Sequence, residues 1–196
     1  MKKNNKGFSL VELIIVIAIM AILAGAIAPA LIRYIDKSRK SNDVSSAKTI
    51  KTAVETALGN ESIYELLATK GSIITFKPGA AITAEGDITQ AVTVEAEYDG
   101  DINGKTADEV KVTAESEIGT NIGEKVPKLK YKKALKKGDN NSTPEYFEAY
   151  ISTKGTVYVF VVHSKVAFGG FTEEDSVGVK ASNAYQISPY MCDEYQ

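Results

Sequence analysis

Glu12 is set apart by what surrounds it. It stands at the mouth of an apolar run, and from Leu13 to Ile32 no residue is charged. A run of about 20 such residues is long enough to cross a bilayer as a helix. An ionised side chain costs about 2.5–3.5 kcal/mol at the membrane centre and less near its edge. A cost of that size points to a partner for the charge. Lys2, Lys3 and Lys6 precede the run, and Gly7-Phe8 separates them from it.

Two other groups have the residue types for chemistry. Asp99, Asp101 and Asn103 occupy alternate positions before Gly104. This is the first half of a calcium loop, in which oxygen ligands at steps of two wrap a hard cation. The closing Glu should fall at position 110, which is Val110, while Glu109 is one residue short. Asp-Gly and Asn-Gly are also preferred hairpin turns, so a solvated loop between two strands stands beside the calcium reading. The second group is Lys125, Lys128, Lys130, Lys132, Lys133, Lys136 and Lys137, interleaved with Leu129, Tyr131 and Leu135. Such a run serves as a solvated edge, as a contact with acidic faces of neighbouring subunits, or as a site for nucleic acid or an anionic surface polymer.

An enzyme is hard to build from the remaining residues. His163 is the single histidine and closes an apolar strand-like run. A nucleophile motif, a metal-spaced His/Cys cluster and a glycine-rich phosphate loop are all missing from the sequence, so neither catalysis nor a cofactor is expected beyond the weak calcium candidate. Cys192 is the only cysteine, so no internal disulfide can form. It is expected as a free thiol or a small packed residue.

These residues need elements to position them. Beyond Ile32, the apolar positions Val44, Ala47, Ile50, Val54, Ala57 and Leu58 recur mostly at steps of three or four, the period of an amphipathic helix. A helix from Phe8 to Leu58 would be roughly 75 Å long. Gly59-Asn60 suits its C-cap. Pro29 leaves the Gly25 carbonyl without a helical donor, and Gly25 is itself a weak helix former, so the pair marks a place to bend or melt. Membrane helices also tolerate both residues with no consequence. Residues 61–69 read as a short helix with Ile63, Leu66 and Leu67 on one face. Residues 92–98 and 110–114 alternate like strands, and 146–152 with 156–162 flank Thr153-Lys154-Gly155 as a hairpin. The expected fold is α+β: a long N-terminal helical stalk, transmembrane in its first half, packed against a C-terminal antiparallel sheet. Its parts are residues 1–7, a helix over 8–58 (8–32 in the membrane, 33–58 amphipathic) and a β-rich head over 59–196.

Residues 2–32 resemble the prepilin leader and first helix of type IV pilins and their type II secretion relatives. The resemblance rests on the short basic leader, Gly7-Phe8, Glu12 at a fixed offset and the apolar run. It implies that a peptidase cuts after Gly7 and that Phe8 becomes the N-methylated first residue. It implies that Glu12 neutralises the Phe8 amine of a neighbouring subunit and so sets register. Gly25 and Pro29 fall where such helices carry breakers. Removing residues 1–7 takes three lysines, and the formal charge passes from -2 to -5. The implied protein is a pilus subunit for adhesion or motility. The alternative is a pseudopilin of a type II secretion or competence machine. The implied partners are other copies, the prepilin peptidase and methyltransferase, a membrane assembly platform, and lipid before assembly. The implied location is the cell membrane, single-pass with a cytoplasmic leader, and then a surface filament. The family's C-terminal disulfide has no counterpart here. A secretory signal peptide and an uncleaved anchor compete with this reading. Ala26-Ile27-Ala28 fits a signal cleavage site, but Pro29 follows it, and neither competitor accounts for Gly7-Phe8 together with Glu12.

Overall fold

One helix, α1 (Leu10–Ala57), carries the whole apolar run and continues without a break through Gly25 and Pro29. It belongs to a computed structural model that describes residues 7–82, 91–166, 171–174, 178–181 and 184–195. Leader residues 1–6, with Lys2, Lys3 and Lys6, lie outside those. The chain divides into two compact units, Met1–Ser38 and Arg39–Gln196.

In the first unit, no apolar side chain from Phe8 to Ile35 is buried. Among the described residues, α1 is the one helix long and apolar enough to cross a membrane. Each Leu, Ile, Val or Phe moved from water into apolar surroundings gains about 1.5–3 kcal/mol. A surface with so many of them calls for lipid or other chains to cover it.

In the second unit, Ala47, Ile50, Val54 and Ala57 of α1 are fully buried, on the three-or-four-residue period expected of them. Asn60 accepts from the Ser62 amide and caps a second helix, α2 (Glu61–Ala68). Gly59 and Asn60 also close α1 as expected, their amides donating to the Thr56 and Ala57 carbonyls at 3.1 and 3.0 Å. Ile63, Leu66 and Leu67 are the buried face of α2.

The strands are β1 (Ser72–Phe76), β2 (Val92–Ala96), β3 (Asp101–Ile102), β4 (Lys105–Thr106), β5 (Tyr146–Ile151), β6 (Val157–Val162), β7 (Phe171–Glu174), β8 (Gly178–Ala181) and β9 (Ala184–Ser188). Five form one antiparallel sheet in the order β2-β1-β5-β6-β9. One face, with Ile74, Phe76, Val94, Phe147, Ala149 and Val159, shares a core with the buried residues of α1 and α2. On the other face, Ile73, Phe160 and Val162 pack with Phe171 of β7. The Phe171 ring stacks on Tyr150 at 5.1 Å and meets Phe160 at 4.8 Å. β1 is therefore buried on both faces, and this accounts for its unbroken run Ser72-Ile73-Ile74-Thr75-Phe76.

The β5–β6 hairpin is the one read from the sequence. Its turn needs Gly155, which has φ of 76° and lies so close to α2 that a Cβ would stand 2.8 Å from the Tyr64 ring. Residues 110–114, expected as a strand, are instead part of a third helix, α3 (Ala107–Ile122). The Thr106 hydroxyl accepts from the Glu109 amide and the Glu109 carboxylate accepts from the Thr106 amide. This capping box starts the helix, and the buried residues Val110, Ala114 and Ile118 then follow at steps of four. Five alternating residues fit either period, and the cap decides between them.

Candidate functional site

The mouth of α1 is built by its first four residues. The Ser9 hydroxyl accepts from the Val11 amide at 3.3 Å, and Glu12 Oε2 accepts from the Ser9 amide at 2.8 Å. Ser9 thus caps the N2 amide, and Glu12 at N3 reaches back to the Ser9 amide as in one half of a capping box. This holds the carboxylate at the positive end of the helix dipole, beside the backbone that follows Gly7. Phe8 is 88 % exposed and no other part of the chain lies within 4 Å of where a Gly7 side chain would be. The cap could have been read from the sequence by the Ser9–Glu12 spacing alone.

The second site is organised by Asp43, which the sequence reading passed over. Its side chain is fully buried within α1. One carboxylate oxygen accepts from the Lys130 amide at 2.7 Å; the other accepts from the Tyr131 amide at 2.9 Å and the Tyr195 hydroxyl at 2.7 Å. Burial raises its pKa above the usual carboxylate value, and the three hydrogen bonds oppose that rise. Burial, and the bond to Asp43, likewise raise the pKa of Tyr195. Lys40 Nζ lies 5.2 Å from the Tyr131 ring centre and 5.7 Å from that of Tyr195, and the two rings meet edge to face at 6.1 Å. Asp43 therefore ties both the lysine segment and the C-terminus to α1. Cys192 is free and half-buried. The Tyr195–Asp43 hydrogen bond fastens the segment around Cys192 to α1. The signal was present: Asp43 is four residues before Ala47, on the apolar face.

With Val126, Leu129 and Tyr131 buried as anchors, the lysines between them point outward: Lys128, Lys130, Lys132, Lys133, Lys136 and Lys137 are all exposed. Lys136 reaches over the Tyr185 ring at 5.7 Å. Two grooves share Lys128, Leu129 and Lys132. One, of about 650 Å³, extends to Lys77, Pro78 and Tyr146; the other, of about 430 Å³, extends to Arg39, Asn42 and Lys130. Glu145 is the acid lining the first groove. His163 is held by the loop before β5. Its Nδ1–H donates to the Thr143 carbonyl at 3.0 Å, with Glu145 at 3.4 Å, and clips the loop leading into β5.

The loop proposed for calcium is a tight hairpin. Asn103 and Gly104, with φ of 51° and 78°, make the two-residue turn between β3 and β4. Asp99 pairs with Lys70 at 2.7 Å, and that ammonium holds its carboxyl below the usual range. Asn103 donates to the Ser62 hydroxyl at 3.0 Å. Among the described residues, no group of three His, Cys, Asp or Glu is gathered for a metal.

A last carboxylate absent from the sequence reading is Glu148, fully buried in the middle of β5. It accepts from the Val166 amide at 3.0 and 3.2 Å and from the Thr75 hydroxyl at 3.5 Å. Burial pushes its pKa up to about 7; Glu95 adds to the rise, while the Val166 amide, Thr75 and Lys165 oppose it. A folded-state value above the unfolded one means that the stabilisation is full below about pH 4.5 and is lost as pH rises to about 7. Burial also raises the Asp43 and Glu115 carboxyls, so both act with the same sign. The head is expected to be more stable at pH 5 than at pH 8, with Glu148 contributing up to about 3 kcal/mol of the difference. Glu148→Gln keeps the acceptor for Val166 and removes that part. Thermal unfolding at the two pH values should show a flatter profile and a higher midpoint at pH 8.

Residues 2–28 match the prokaryotic N-terminal methylation motif. The chain is 36 % identical over 111 residues to the type IV major fimbrial protein FimA of Dichelobacter nodosus, a match covering 52 % of this chain and 71 % of that protein. It is 51 % identical over 54 residues to fimbrial protein Q of Moraxella bovis, covering 28 % and 34 % of the two chains. It is 41 % identical over 56 residues to a fimbrial protein of Pseudomonas aeruginosa, covering 29 % and 36 %. No solved structure matches the chain.

Proposed function

This chain belongs to the type IV pilin family, and on that premise we propose that it is the structural subunit of a surface pilus, stored in the membrane and polymerised through α1. One observation carries the reading: the side chains of the apolar run are all uncovered, and a single carboxylate stands at its mouth one helical turn after Phe8. Cleavage after Gly7 leaves an amine on Phe8, with an ordinary pKa of roughly 7.7–8.0, largely cationic at neutral pH. In a bundle of α1 helices that charge needs a partner, and Glu12 of an adjacent copy is the carboxylate available to supply one. Apolar packing gives cohesion, and the charge pair gives axial register. The bend assigned to Gly25 and Pro29 belongs to the packed state, where neighbouring helices can take up the freed Gly25 carbonyl.

The partners that follow from this role are a prepilin peptidase that cuts after Gly7 and methylates Phe8, and an assembly platform in the membrane. In the hairpin where calcium was considered, Asp99 is paired with Lys70. The fimbrial names of the relatives favour a pilus over a secretion or competence filament.

Mass spectrometry of shear-released surface material tests the reading. The expected result is an abundant peptide that begins at N-methylated Phe8. The same terminus confined to membranes would transfer the chain to the pseudopilins. An intact Met1, or a start at Pro29, would overturn the cleavage site and the role of Glu12 together.

A further inference from the structure

Charge is segregated along this chain. Residues 125–137 hold seven lysines and no acid, whereas residues 55–124 hold fourteen acids against four lysines. The fold turns that segregation into two ends of the head. The lysine segment is fastened to α1 at Asp43. The acids at the start of α3 and in the adjoining β3, Asp101, Asp108 and Glu109, lie beyond the other end of α1. Asn121 of α3 donates to the Ala53 carbonyl and Asn60 donates to Glu117. α3 therefore runs antiparallel to the end of α1 and carries its own start past it. β3 and β4 adjoin that start, with Asp101 paired to Thr106. From Asp43 to Ala53, α1 rises about 15 Å, and from Asn121 back to Ala107, α3 rises about 21 Å. The basic grooves and the exposed Glu97 and Asp101 are thus separated by on the order of 30 Å along the helix direction.

We propose that the groove lined by Arg39, Lys128, Lys130 and Lys132 receives the acidic end of another copy's head, so that successive heads in a filament meet basic end to acidic end. This rests on the pilus reading above, which sets copies beside one another with an axial offset. One feature of the molecule chooses a second copy over a polyanion. The complementary surface is part of this same chain, at the position that an axial shift would bring to the groove. An interface that joins one surface to a different one on the next copy propagates as a helix of subunits rather than closing as a pair. Complementary charge also steers each arriving subunit and penalises wrong registers, where like charges would meet. Between exposed charges the attraction is screened over about 10 Å at 0.1 M salt, so this contact is the salt-sensitive part of a filament whose α1 packing is not.

The test is a charge swap in the full chain, scored as filaments sheared from cells and washed in 0.15 M NaCl. Lys128→Glu with Lys132→Glu, and separately Glu97→Lys with Asp101→Lys, should each lower filament recovery by about tenfold or more, the change that 1.4 kcal/mol per subunit produces. All four substitutions together should restore recovery to within about threefold of wild type, since charge complementarity returns with its sign reversed. Restoration also excludes misfolding as the cause of the losses. The proposal is overturned if the paired variants shed wild-type amounts, or if the fourfold variant is no better than they are. Intact lysine-variant filaments that no longer bind double-stranded DNA, where wild-type filaments do, would overturn it in favour of a polyanion groove. A wild-type chain that forms no filaments removes the pilus reading itself, an outcome distinct from wild-type filaments that are indifferent to the swap.

Discussion

Glu12→Val should all but remove surface filaments while leaving the cleaved subunit in the membrane. In the packed state proposed above, the carboxylate stands against the amine of a neighbouring Phe8. Its removal leaves a buried cation without a partner, and breaking one member of a buried pair costs about 3–5 kcal/mol. At about 1.4 kcal/mol per factor of ten, even the lower figure exceeds a hundredfold per subunit contact. Shear-released material should fall by at least about tenfold, measured against the membrane pool of the same cells. The capping role of Glu12 has to be separated from the pairing role, because the same oxygen accepts from the Ser9 amide. Ser9→Ala weakens the cap alone, at about 0.5–2 kcal/mol, and is expected to leave filaments near the wild-type amount. If Ser9→Ala reduces filaments as far as Glu12→Val does, the carboxylate matters for the helix mouth and register has another source.

Asp43→Ala is expected to be the most destabilising single change in the head. It strands two buried backbone amides and the Tyr195 hydroxyl in one step. Each unsatisfied buried donor costs about 1–3 kcal/mol, so a loss of about 4 kcal/mol is expected. At about 2–4 °C per kcal/mol for a chain of this size, the unfolding midpoint should drop by about 8–16 °C. Thermal unfolding of the detergent-solubilised chain, followed by circular dichroism, measures it. Asp43→Asn should fall between, because an amide offers one acceptor oxygen where the carboxylate offers two. Tyr195→Phe should cost less than either, since it removes a donor and leaves a carboxylate that still holds two amides. A drop under about 2 °C for Asp43→Ala would mean that the C-terminus and the lysine segment are held by their apolar anchors alone. The change should also loosen the backbone that carries Lys128 to Lys132. It is therefore expected to weaken any contact made through that groove.

Much of this molecule was legible one window at a time. The apolar run, Gly7-Phe8, Glu12, the amphipathic half of α1, α2 and the β5–β6 hairpin each depend on neighbours within a few residues. A helical period, a membrane-length run and a turn glycine are local quantities. α3 was misread for a local reason too: over 110–114 the alternation matches a strand, while Thr106 and Glu109, which start the helix, lie just outside the window. The Thr106–Glu109 capping box and the Ser9–Glu12 cap are both legible by spacing alone.

By itself the sequence determined that a charged mouth opens a bare apolar helix, that a sheet-bearing head follows, and that no internal disulfide closes the chain, because composition, period and count contain those facts. Only the tertiary structure decided what fastens the segment around Cys192, which carboxylates are buried, and where the lysines go. Asp43 is a polar residue on an apolar stripe until Tyr131 and Tyr195 arrive from 88 and 152 residues away. Glu148 is one acid among many until strands on both sides and Val166 enclose it. The lysine run is a solvated stretch in one dimension. It becomes one end of a charged head because Asp43 fastens its backbone to α1 while α3 carries the acids past the helix's other end, and long-range pairing of that kind leaves no trace in a local window.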